Sequence, residues 1–72
     1  MKLQSIIIPK SKFTKKQAYQ WIQFHGYKIK FGNKKGPDIT LNYYRFRQRA
    51  PNKNANYYIK TLNNGIKLVL FI

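Results

Sequence analysis

The chain has 72 residues, with 15 Lys and Arg against one acid, Asp38, and a formal net charge of +14. At 43% hydrophobic and 17% aromatic residues it is too apolar for a solvated basic tail, so the charge belongs to something folded. There is no cysteine, and His25 is the single histidine, which excludes a disulfide framework, a Cys-based zinc site and a His-based one.

Leu3 to Ile8 is β-branched and reads as a short strand ended by Pro9. The opening residues faintly imitate a signal peptide, but Ile6-Ile7-Ile8 is too short an apolar core and no small-residue cleavage site follows; the segment is expected to belong to the fold, and secretion is not expected. The apolar runs Ile6–Ile8 and Leu68–Ile72 fall far below the roughly 20 residues that span a bilayer, so no membrane partner is expected.

Thr14 has Gln17 three residues on, the spacing of a capping box, and opens a helix expected over about Lys15 to His25. Ala18, Trp21, Ile22 and His25 share its apolar face, and Gly26 is its stop. Tyr27 to Phe31 alternates Tyr27, Ile29 and Phe31 with Lys28 and Lys30, a strand pattern. Residues 32–38 read as a loop, Ile39 to Gln48 as a strand, and residues 50–56 as a second loop. Tyr57–Leu62 and Ile66–Ile72 then form a hairpin across Asn63-Asn64-Gly65. The order is β-α-β-β-β-β: an α+β fold of one small basic domain over residues 1–72, with one helix packed on a mostly antiparallel four- to five-stranded sheet whose other face is left open.

The most specific signal is Tyr43-Tyr44-Arg45-Phe46-Arg47-Gln48-Arg49, because every arginine of the chain lies in it. Alternation puts Tyr44, Phe46 and Gln48 on one side and Tyr43, Arg45, Arg47 and Arg49 on the other. Apolar Phe46 belongs against the helix, so the arginines line the open face about 6.6 to 7 Å apart. Such a stripe suits phosphate, which a guanidinium binds through two parallel hydrogen bonds. The plainer reading is the solvated face of an amphipathic strand. Three cations side by side with only Asp38 to pair them repel one another, however, and a counter-anion is expected. Tyr43, and Tyr57 or Tyr58 according to register, would add stacking surface of the kind that binds single strands.

The remaining candidates are lysines. Lys60 is expected on the strand of Tyr57 and Tyr58. Lys12, Lys15 and Lys16 cluster with Lys10 at the helix start, where they oppose the helix dipole and form a candidate second phosphate contact. Lys34 and Lys35 lie in a glycine-flanked loop that lacks P-loop spacing and adds at most nonspecific attraction. His25 reads as a structural C-terminal residue. No carboxylate pair, Cys nucleophile or Ser/Thr–His arrangement is present, so neither enzyme activity nor a cofactor is expected.

Ser11-Lys12-Phe13-Thr14-Lys15-Lys16-Gln17-Ala18, Trp21-Ile22, His25-Gly26-Tyr27, Asn42 to Gln48, Thr61-Leu62 and Gly65 to Val69 together resemble a small domain of tailed-phage and giant-virus proteins. Its pattern is roughly KFT-x-x-x-A-x-x-W-[LI]-x-x-H-G-[YF], a loop, and Y-R-F-R-Q. That family has no settled activity, so the resemblance implies a viral setting and no catalytic residue. The family often carries acids before the arginine strand and Asp-Pro after it; Gly36-Pro37-Asp38 and Ala50-Pro51 stand there instead, so this copy is the more basic.

These readings converge on a nonenzymatic viral or phage nucleic-acid-binding protein of low sequence specificity, with DNA slightly favoured over RNA, located in the virion or the host cytoplasm or nucleus. The alternative is a minor capsid or cement protein, motivated by the uncharged Leu68–Ile72, which wants burial and could add to a neighbour's sheet. A third reading is an inhibitor of an acidic host protein. Oligomeric state is left open.

Overall fold

The computed structural model describes residues 2–30, 32 and 36–71. Along the chain run strand β1 (Lys2–Pro9), helix α1 (Lys15–Phe24), and strands β2 (Asp38–Ile39), β3 (Tyr43–Arg47), β4 (Tyr57–Thr61) and β5 (Lys67–Phe71). The strands form one antiparallel sheet in the order β2-β3-β1-β5-β4, with α1 packed on one face. The expected α+β architecture is therefore present.

Local chemistry explains the helix. Thr14 is its N-cap, and the Gln17 backbone N–H donates to Thr14 Oγ1 at 3.2 Å while the Thr14 N–H donates to Gln17 Oε1 at 2.9 Å. Both bonds satisfy donors that a helix start leaves orphaned. At the other end Gly26 takes φ +75°, with Gly26 N–H on the Gln23 carbonyl and Tyr27 N–H on the Ile22 carbonyl. These two bonds make a Schellman stop, which a side chain at Gly26 would strain. His25 is the exposed C-cap rather than part of the packed stripe, and only Ala18 and Ile22 of the helix are wholly buried.

Alternation along the strands builds the core. Ile6 and Ile8 of β1 face the helix beside Phe46 of β3, and with Ala18, Ile22 and Ile66 they form a fully buried cluster. The Tyr19 ring meets Phe46 edge-on at 5.7 Å. The β4–β5 hairpin closes as expected, with Gly65 N–H on the Leu62 carbonyl and Gly65 at φ +88°.

Two strand expectations need correction. Residues 27–30 do not form a strand; Phe31 lies outside the described residues. Lys28 receives its strand-like hydrogen bonds from a side chain instead: its N–H donates to Gln48 Oε1, and its carbonyl accepts from Gln48 Nε2, both at 2.8 Å. Tyr27 stacks near Trp21 and His25, which accounts for its apolar periodicity without a sheet. The expected strand Ile39–Gln48 is instead a hairpin of β2 and β3. Thr40 turns it, donating N–H to the Tyr43 carbonyl while its hydroxyl accepts from the Tyr43 N–H.

Candidate nucleic-acid interface

No helix or second sheet packs on the face of the sheet away from α1 among the described residues, although Ser5 and Val69 on it are buried. Register assigns to it Tyr43, Arg45 and Arg47 of β3, Ser5 and Ile7 of β1, Lys67, Val69 and Phe71 of β5, and Tyr57, Ile59 and Thr61 of β4. Lys2, opposite Phe71, joins them by the same parity. Tyr43, Arg45 and Arg47 therefore share a face as expected. The register also settles the choice between tyrosines: Tyr57 is on this face, its ring 5.2 Å from that of Phe71, and Tyr58 is on the other.

The arginines are held down rather than free. Arg45 Nη2 donates to Gln4 Oε1 at 3.1 Å, and its Nε is buried without a partner. Gln4 is itself buried, and its Nε2 donates to the Arg49 carbonyl at 3.0 Å. Alternation alone would point Gln4 into the core with Ile6 and Ile8. The ladder between β1 and β5 slips between Leu3 and Ser5, and Gln4 is the extra residue of that irregularity. Arg47 Nε lies 2.9 Å from Asp38 Oδ2, an ion pair rather than an aligned hydrogen bond. The single acid of the chain thus neutralises the arginine nearest the strand end. Lys67, absent from the expected set, sits across β1 with its Nζ 5.7 Å from the Tyr43 ring centroid, a cation–π contact. Its signal was the alternation of the hairpin strand once the register of Val69 is known.

Other expected residues lie elsewhere. Arg49 leaves the stripe because the N–H groups of Gln48 and Arg49 both turn onto the Gln4 carbonyl, which ends the alternation after Arg47. It lines a separate hollow with Leu3, Tyr27, Lys28 and Gln48. Lys60 pairs in register with Leu68 and belongs to the helix side of the sheet, not the arginine face. Lys12, Lys15 and Lys16 are in the helical layer: Lys12 runs against the Gly65 turn, and Lys15 Nζ lies 5.9 Å from the Tyr19 ring. Lys34 and Lys35 fall outside the described residues.

Between the strands of the open face lies a hollow of about 340 Å³ lined by Gln4, Ile7, Arg45, Tyr57, Ile59 and Val69. Among the described residues no three His, Cys, Asp or Glu side chains come together to hold a metal ion, and no helix is long and apolar enough to cross a membrane. Comparison with protein-family models, with curated proteins and with solved structures finds no match.

Proposed function

We propose that the chain is a nonenzymatic nucleic-acid-binding protein of low sequence specificity that uses the open sheet face. The supporting observation is the meeting of cations and aromatic rings on the sheet face that no helix covers: Arg45, Lys67 and Lys2 with Tyr43 and Tyr57, in a chain of net charge +14. Cations follow the phosphates and rings accept bases, and contacts of this kind carry little sequence information. DNA is favoured over RNA, and the viral or phage setting rests on the motif resemblance.

The test is a fluorescence-anisotropy titration of DNA and RNA over a range of salt, with wild type beside Arg45→Ala/Lys67→Ala. Affinity should fall steeply with salt. The double substitution should flatten the slope by about 0.7 for each single-strand phosphate that it leaves without its cation. Salt-independent binding would sink the reading.

The alternative of a virion structural component draws on a different strand from the one the sequence suggests. Residues 68–71 lie in β5, between β1 and β4, and so find burial in their own sheet. The edge strand β4, with all five residues exposed and only Lys60 charged, is the surface that could extend a neighbour's sheet. Co-sedimentation with acidic capsid protein after nuclease treatment would favour this alternative.

A further inference from the structure

We infer that the hollow on the open face is a seat for one unstacked nucleobase, so that the ligand is a single strand rather than a duplex. This rests on the nucleic-acid reading above and specifies its ligand. The hollow has an apolar floor, Ile7 and Val69, and apolar Ile59 at the edge strand. Tyr57 on β4 and Arg45 on β3 both line it, with β1 and β5 between them in the strand order. A ring and a guanidinium are the two side-chain surfaces on which bases stack. At about 340 Å³ the site is at the small end of the range of roughly 300 to 1,000 Å³ for small-molecule sites, which suits one planar group.

Two features prepare the seat. Arg45 is tied by Nη2 to buried Gln4, which restrains its guanidinium before anything binds. The Tyr57 hydroxyl donates to the Asn52 carbonyl at 3.1 Å and accepts the Asn52 N–H at 3.0 Å, which fixes the ring against the preceding loop. Preorganised side chains lose little freedom on binding. The charge of the chain favours an anionic occupant, and the cations Lys2 and Lys67 share the face with the hollow, where a strand's phosphates would run. A free duplex keeps its bases stacked and paired, and so has no base face to offer Tyr57. An amino-acid side chain would equally enter an apolar hollow, but nothing on a neutral or basic peptide answers the cations around it.

The experiment titrates the full chain with four probes at low salt: oligothymidine, a strand with the same number of phosphates and no bases, a duplex of equal length, and thymidine monophosphate. Oligothymidine should bind about 5- to 140-fold more tightly than the abasic strand, the span expected for stacking of one base. Tyr57→Leu should close that gap, Tyr57→Phe, which keeps the ring but loses both Asn52 bonds, should keep most of it, and Ile59→Ser on the exposed edge strand should narrow it without touching the Asn52 contacts. Thymidine monophosphate should bind more weakly than the strand. Equal binding of oligothymidine, abasic strand and duplex would overturn the base seat while leaving the phosphate reading intact. Loss of the gap in Tyr57→Phe as well as Tyr57→Leu would also overturn it, since Tyr57 would then act only as a loop anchor. Tighter binding of the mononucleotide would overturn the strand as ligand. Failure of every probe would remove the nucleic-acid reading itself.

Discussion

The two faces of the sheet are drawn from the same strands, and neighbouring residues serve opposite ends. Ile6, Ile8 and Phe46 are wholly buried under α1, while Ile7, Arg45 and Arg47, which alternate with them, form the open face. The helix side is a packed apolar layer that holds the fold. The open side is a mixed layer in which three cations are braced: Arg45 by Gln4, Arg47 by Asp38, and Lys67 by the Tyr43 ring. A one-residue slip of β3 would exchange the two sets, so the burial of Phe46 also fixes the orientation of the arginines. Stability and candidate function are thus linked by register but carried by different side chains, and substitutions can separate them.

The largest separation is between Phe46→Ala and Arg45→Ala. Phe46 is 0% exposed, and truncating such a side chain costs about 3 to 5 kcal/mol. Native domains hold only about 0.05 to 0.15 kcal/mol per residue, so a chain this short should lose most of its stability. Urea unfolding followed by far-UV circular dichroism should show it. Arg45→Ala removes one bond to Gln4 and should cost about 1 kcal/mol in the same assay, yet it should weaken nucleic-acid binding more than any single helix-layer substitution. Comparable stability losses in the two variants would break the division of labour.

At the helix start the effects are smaller. Thr14→Ala removes the capping box and should cost about 1 kcal/mol, lowering Tm by roughly 4 to 8 °C. The first turn has no acid and carries Lys15 and Lys16, which oppose the helix dipole. Lys15→Glu should therefore stabilise by about 0.3 to 1 kcal/mol. Because Lys15 sits in the helical layer, this change should reduce affinity less than Arg45→Ala does. A larger loss would move the interface from the open face to the helix.

What could be read from the sequence follows how local each feature is. The helix with its Thr14 cap and Gly26 stop, and the turn at Gly65, are decided by residues within a few positions of one another, and the structure has them where expected. The separation of Arg45 and Arg47 from Phe46 is also legible, because it needs only a period of two. The misplacements involve distant partners. Residues 27–30 have a strand's alternation, but Gln48, 20 positions away, supplies the hydrogen bonds of Lys28 through its side chain. Arg49 would continue the stripe if β3 ran on, but the Gln4 carbonyl gathers the N–H groups of both Gln48 and Arg49 and stops it. Gln4 and Lys67 escape a sequence reading for the same reason, since their places depend on an irregularity and a register that no short window contains.

The smallest expected effect tests the braces directly. Asp38 is the only acid in the chain, and it is engaged with Arg47, the two side chains being 21% and 35% exposed. A partly exposed pair of this kind contributes about 0 to 1 kcal/mol, so Asp38→Asn should lower stability only slightly. It should also raise the net charge and release the Arg47 guanidinium for phosphate. Affinity for single strands should rise, and the salt dependence should steepen by about 0.7 if Arg47 takes up one further phosphate. Arg47→Ala in the Asp38→Asn background should restore the original slope, which ties the gain to that arginine rather than to charge at large. If Asp38→Asn leaves the slope unchanged and lowers Tm sharply, the pair is a clamp between β2 and β3. Phosphate recognition on the open face would then fall to Arg45 and the lysines alone.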